Sequence, residues 1–378
     1  MSTPASLHPN IQLALDTIHR KPTRGIPSFL LHVMEHAIIE RLAGAPPGSY
    51  RERPEEVYLA FQRAIGTCVI DQWIPTNPLT MGPRGWEGER GATTGAEEVV
   101  RDGIRIASPE AVAEHLERVE FPRLRQAAAE FDEEARLREI LEGERRVQGI
   151  LAPSILKSGY GFVRFPGLAY STYGYVPYFS AYALYPELME RHFALQADIA
   201  LRRNRAAARA YTEGGLPPLY RLDHDMADSR GTLARIETLD RLWLPHFARA
   251  IEPLVKAGVR LLWHCDGNLM AMVPRLLDAG VGGFQGFQYE DGMDYARICR
   301  TKSRAGDDLM IIAGVSVTRT LPNGTPADVK RELVWLVENG PKRGLFLAAS
   351  SSIAPGTPWE NILTLVEGLR YYREEWKH

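Results

Sequence analysis

From Pro218 to Trp376 the sequence alternates short apolar runs with amphipathic stretches, five times without interruption. Each apolar run is bounded by Gly or Pro and ends in a polar group. This pattern predicts an α/β fold with parallel strands joined by right-handed crossovers. Five such units and two or three earlier ones predict a TIM-type (β/α)8 barrel with an N-terminal helical extension and a hairpin insertion. The whole chain of 378 residues then forms one barrel domain: 1–64 is the extension, 78–108 the insertion and 218–376 the regular units.

Taken in order, residues 10–20 predict a short helix, broken at Lys21-Pro22. Residues 27–42 predict a second, with Ser28 as N-cap and Gly44 ending it; His32 and His36 then share one face. Pro54 to Ala64 is a third helix. Thr67 to Ile74 is rich in β-branched residues and predicts the first core strand, carrying Asp71 as a candidate acid or base. Residues 78–108 alternate in short segments around Gly and predict a hairpin insertion. Residues 109–146 are helical and highly charged, with a break at Pro122. Gly149 to Leu156 predicts a strand. Residues 160–179 then hold a dense set of aromatics beside Gly and Pro. Tyr160, Arg164, Tyr173, Tyr175 and Tyr178 are candidates to line a substrate pocket, since Tyr offers an apolar body with a polar tip; packing in an irregular core is the alternative.

Pro186 to Tyr211 predicts a long helix. The regular units follow: strand 218–222 ending in Asp223-His224-Asp225, and helix 236–257 interrupted at Pro245. Strand 259–263 then ends in His264-Cys265-Asp266 with helix 269–279, and strand 283–289 ends at Glu290 with helix 294–303. Strand 309–313 ends in Gly314-Val315-Ser316 with helix 326–338, and strand 345–349 ends in Ser350-Ser351-Ser352 with helix 359–376.

The net charge of −2 with 24% charged residues argues against an electrostatic nucleic-acid binder. No apolar run is long enough to span a bilayer, and the N-terminus lacks the pattern of a signal peptide. Three widely spaced cysteines, Cys68, Cys265 and Cys299, suggest reduced thiols. The expectation is a cytoplasmic protein acting on a small molecule.

In a barrel the strand carboxyl ends converge on one face. That face would gather Asp223, His224, Asp225, His264, Cys265, Asp266, Glu290, Ser316 and the run Ser350 to Ser352. Alternation along the strand puts His264 and Asp266 on one side and Cys265 on the other. Imidazole and carboxylate donors suit zinc or iron, and the same groups serve equally as general acids and bases. The plain alternative is that some of them cap helices and satisfy loop amides.

Several segments resemble one family in order and spacing: His264-Cys265-Asp266-Gly267-Asn268, the stretch from Gly286 to Asp294, Ile312 to Ser316, Gly324 to Val329, and Ile353 to Ile362. The likeness is looser from Arg53 to Phe61 and at Ile65-Gly66. Together they resemble the uroporphyrinogen decarboxylase superfamily, which implies a TIM-type barrel with its pocket at the strand carboxyl ends. True uroporphyrinogen decarboxylases carry an Arg-Gln-Ala-Gly-Arg segment near the N-terminus that this sequence lacks. The nearest basic group, Arg20, Lys21 and Arg24, does not reproduce it. The other branch holds methyltransferases that serve corrinoid proteins and bind zinc through a His-x-Cys pair and a later Cys. Here His264 matches the His, Asp266 stands at the Cys position, and the later Cys falls within Ser350 to Ser352.

The resemblance therefore implies metal-assisted methyl transfer or demethylation, with His264, Asp266 and Glu290 holding a divalent metal, zinc favoured. Asp223 or Asp225 would handle protons, and a corrinoid would come on a separate protein. A homodimer is implied as well. A metal-free decarboxylase or lyase is the runner-up. It would use Asp71, Asp225 and His264 as acid and base groups, with Arg164 or Arg319 holding a carboxylate. A binding subunit without catalysis is the third reading.

Overall fold

Seven short parallel strands among the described residues place the site: β1 (Val69–Ile70), β2 (Leu156–Lys157), β3 (Leu219–Asp223), β4 (Arg260–His264), β5 (Gly283–Gln285), β6 (Met310–Val315) and β7 (Leu345–Ala349). The computed structural model describes residues 7–76, 81–82, 85–86 and 99–376. The last five strands form one parallel sheet in the order β7-β6-β5-β4-β3, and β1 pairs with β2 in a second. Single parallel bridges add Ser28 to Leu347, Phe29 to Val69, and Gly159 to Tyr220. The α/β class and parallel strands match the expectation from sequence.

The strands are apolar because both faces are covered. All six residues of β6 and all five of β7 are buried, as in parallel sheets clad by helices. Register sets the site: His264 lies level with Asp223 on one side and Gln285 on the other. Behind β4, Trp263 packs against Trp243, Phe247 and Phe165 at centroid distances of 5.3–6.0 Å, which anchors the strand from its helix side.

The long helix Pro186–Thr212 packs against helices Leu244–Lys256 and Glu133–Leu151. Its buried Asn204 ties down the aromatic loop. The Asn204 amide donates to Arg164 O at 2.6 Å and Ala250 O at 2.7 Å, and its carbonyl accepts from Arg164 N at 3.0 Å. Pro245 splits the predicted helix into Ile236–Leu242 and Leu244–Lys256, and Pro122 opens helix Phe121–Ala129 after a π-helical turn. Both act at a first turn, where a missing N–H costs nothing.

Three predicted elements differ most. The strand predicted over 283–289 covers only Gly283–Gln285, with a 3-10 turn at Tyr289–Asp291. Residues 27–42 are helical only over His36–Ala43, and Ser28 caps nothing. Phe29 N donates to Leu347 O at 2.8 Å, Met34 N to Ile353 O at 3.1 Å and Ser28 Oγ to Gly66 O at 2.8 Å. Tertiary partners take the backbone donors that a helix would have used. The strand predicted over 149–156 is instead the end of helix Glu133–Leu151, with pairing only at Leu156–Lys157. Within the predicted insertion, Val99–Arg101 pairs antiparallel with Ile104–Ile106 across Asp102 (φ 49°) and Gly103 (φ 79°), the left-handed pair of a tight hairpin. Met81–Gly82 pairs with Gly85–Trp86; residues 77–80, 83–84 and 87–98 of that region lie outside the described residues. No helix among the described residues is long and apolar enough to cross a membrane.

Candidate functional site

At the carboxyl ends of β3 and β4, ligand atoms of Asp225, His264 and Asp266 all lie within 4.8 Å of one another. Strand alternation explains two of them: His264 ends β4, and Asp266 follows on the same side. The third arrives because Asp225 Oδ1 accepts Asp266 N at 3.0 Å. Tyr170 OH donates to Asp225 O at 2.9 Å and steadies that turn from the aromatic loop. Two glycines permit the arrangement. Gly267 (φ 87°) lies where a Cβ would stand 2.6 Å from Asp228 O, and Gly286 (φ 78°) where one would stand 2.4 Å from His264 Nδ1.

The set fits a divalent cation on the chemistry of its donors. His264 Nδ1 and Asp266 Oδ1 are buried and without hydrogen-bond partners, and among the described residues no Lys or Arg pairs with Asp225 or Asp266. Burial pushes the Asp266 carboxyl up; His264 pulls it down, Asp225 and Asp223 push it up, and a hydrogen bond from Ser351 pulls it down again. One imidazole with two carboxylates suits zinc or a neighbouring divalent metal. Cys265 turns the other way. Its Sγ accepts from Met226 N at 3.3 Å and donates to Asp266 O at 3.1 Å, and burial pushes the thiol up to about 12. It is a packed thiol.

A cavity of about 280 Å3 opens beside the triad, lined by His264, Asp71, Arg221, Asp223, His32 and Gln285 among others. Its polar core is a clamp. Arg221 Nε donates to Asp71 Oδ2 at 2.6 Å, while Nη1 reaches Asp223 Oδ2 at 3.1 Å and Gln285 Oε1 at 3.5 Å. Tyr160 OH also donates to Asp223 Oδ2, at 2.9 Å, and its ring lies 4.9 Å below the guanidinium. Burial works against the Arg221 charge, but Asp71 and Asp223 outweigh it and raise its pKa. His32 Nδ1 lies 2.9 Å from Ser352 Oγ; burial, then the Arg221 charge, depress its pKa to about 4 against the pull of Asp71.

The other sequence candidates sort themselves by place. Asp71, Asp223 and Tyr160 belong to this clamp. Glu290 is outside the triad: its Oε1 accepts from Ser316 Oγ at 2.7 Å and from Thr318 Oγ1. Arg319 is exposed and donates to Glu290 O at 3.2 Å. Arg164 and Tyr173 line a different cavity. Tyr178 is buried against Tyr173 and Phe179. Tyr175 stacks obliquely on Tyr170, 4.7 Å between centroids. His36 stacks on Tyr50 at 4.7 Å, while His32 meets Ser352. His224 accepts Leu168 N on Nε2 at 2.8 Å, and burial depresses its pKa to about 4.

Sequence reasoning missed Arg221. The signal was present, because an arginine two residues before Asp223 in an apolar strand must share that residue's face and must be paired if buried.

No protein-family model matches the chain, and no curated protein matches it. Among solved structures, the chain shares its fold with a methyltransferase from Methanosarcina mazei: TM-score 0.55, 15% identity, covering 97% of this chain and 99% of that one. A protein described as a vitamin-B12-independent methionine synthase from Listeria monocytogenes aligns over 94% of this chain and 100% of its own, at TM-score 0.44 and 13% identity.

Proposed function

We propose that this chain is an enzyme of the uroporphyrinogen decarboxylase superfamily. It carries out metal-assisted methyl transfer or demethylation on a small molecule bound in the 280 Å3 cavity. The observation that carries the reading is the convergence of exposed Asp225 with His264 and Asp266, whose Nδ1 and Oδ1 are buried and unspent. The sequence resemblance and the fold shared with the M. mazei methyltransferase support it. An eight-station barrel fits as well, since the single bridges at Ser28–Phe29 and Gly159 link the two parallel sheets edge to edge.

In this reading Asp225 takes the ligand position that the sequence assigned to Glu290, and zinc is the favoured metal. Bound there, zinc would act as a Lewis acid and favour the thiolate form of a thiol acceptor. The chain's own residues do the rest. Tyr160 and Arg221 both donate to Asp223 Oδ2 and fix that carboxylate at the cavity wall, where it serves as proton acceptor. Asp71 neutralises Arg221 from behind, so the guanidinium orients Asp223 without drawing an anionic substrate. A corrinoid on a separate protein is the methyl source that the resemblance implies.

One observation favours a second reading, metal-free acid–base chemistry: His32, held neutral, shares the cavity with Asp71, Arg221 and His264. Metal content separates the two. Protein purified without chelators should carry close to one zinc per chain. His264→Ala and Asp266→Ala should lose it with their circular dichroism intact, while Glu290→Ala keeps it. A wild type that takes up no metal even on reconstitution ends the methyl-transfer reading and leaves the acid–base one.

A further inference from the structure

A larger cavity, about 910 Å3, lies on the far side of the aromatic loop, between the 99–106 hairpin, helix Phe121–Ala129, residues 164–173 and helix Pro186–Thr212. Four arginines line it, Arg101, Arg123, Arg164 and Arg203, against two acids, Asp102 and Glu120. Part of that charge is spent within the wall. Arg123 pairs with Glu120, Asp102 accepts from His115 Nε2 at 2.8 Å, and Arg101 Nε donates to Thr172 O at 3.0 Å.

Arg164 and Arg203 are different. Neither guanidinium has a hydrogen-bond or ion-pair partner among the described residues, and Arg203 Nε is buried besides. Burial, then the nearby charges of Arg164 and Arg136, lower the basicity of Arg203, against the pull of Glu139, which is itself paired with Arg136 at 2.6 Å, so positive charge is in excess here. A neutral donor joins them. Gly167 N donates to Gln196 Oε1 at 2.9 Å, which leaves the Gln196 amide to donate to His192 Nε2 at 3.0 Å. The proton of that neutral imidazole therefore sits on Nδ1, which is buried and has no partner. Unpaired guanidiniums and an unspent N–H in one concavity are the groups that recognise phosphate and carboxylate oxygens.

We propose that this cavity binds a small polyanion, bearing phosphate or several carboxylates, held by Arg164 and Arg203 with His192 Nδ1–H as a third donor. The site is separate from the metal-ligand triad and does not depend on the methyl-transfer reading. The two adjoin through one loop, since Leu168 N donates to His224 and Tyr170 OH to Asp225 O.

The test titrates the full chain by calorimetry with inorganic phosphate and, separately, with tricarballylate. The Arg164→Gln/Arg203→Gln double variant and His264→Ala are run alongside. At least one anion should bind saturably to the wild type, about 10-fold or more weakly to the double variant, and unchanged to His264→Ala. Phosphate alone assigns a phosphorylated ligand; tricarballylate alone assigns a polycarboxylate. Relief of like-charge repulsion should leave the anion-free double variant melting no lower than the wild type, which separates loss of the site from loss of the fold. Binding of neither anion, equal binding by the double variant, or loss of binding in His264→Ala overturns the site.

Discussion

Two aspartate pairs stand near the strand carboxyl ends, and they are neutralised in opposite ways. Asp71 and Asp223 share the buried Arg221, whose guanidinium lies between them. Asp225 and Asp266 have His264 beside them, and among the described residues no Lys or Arg pairs with either. In the first pair each carboxylate has the same guanidinium within hydrogen-bond distance, one positive charge serving two negative ones. The second sets exposed Asp225 beside half-buried Asp266, whose Oδ1 is unspent, and like charge at such a site is unfavourable unless a proton or a cation is added. Residue type does not separate a structural clamp from a ligand site; the partner already in place does.

The sharpest way to break this comparison is to remove the bridge. Arg221→Ala leaves Asp71, 1% exposed, as an unpaired buried carboxylate. It should lower unfolding stability by about 3–5 kcal/mol in chemical denaturation. A loss below ~1 kcal/mol would mean that Arg221 is not the counterion. Next comes Gly286→Ala, which forces a Cβ toward His264 Nδ1 at a left-handed φ. A cost of about 1–3 kcal/mol is expected, with zinc binding weakened in parallel; a variant with wild-type zinc affinity would remove His264 from the ligand set.

The smallest effect is the most diagnostic. The Asp266 carboxyl is raised in the folded chain, so its contribution is fully present below the unfolded carboxylate range and is lost as pH rises through the folded value. Metal-free Asp266→Asn should therefore gain on the wild type as pH increases from about 4 toward 7, by on the order of 1 kcal/mol. Zinc should abolish that advantage. An advantage that shrinks with rising pH would contradict the assigned direction.

The parts read correctly from sequence were those governed by local periodicity. Alternation along Val259–Asp266 is enough to set His264 and Asp266 on one side and Cys265 on the other. The split at Pro245 follows from backbone chemistry within a few residues. The misread parts depended on distant partners. Phe29 to Met34 reads as helix by composition, yet its donors belong to Leu347 and Ile353. Glu290 reads as a strand end like the other candidates, but β5 stops at Gln285, and Glu290 sits in the 3-10 turn Tyr289–Asp291 where Ser316 and Thr318 hold its carboxylate.

The α/β class, the parallel strand–helix units after Pro218 and the polar strand ends were determined by the sequence alone, because hydrophobic period and turn residues act over a few positions. Tertiary structure decided which third residue joins His264 and Asp266, and which aspartates Arg221 neutralises. It also gathered Arg164 and Arg203 around one cavity. Charges interact through space, so their pairing is settled only when the sheets and helices bring separate stretches of chain within a few ångströms.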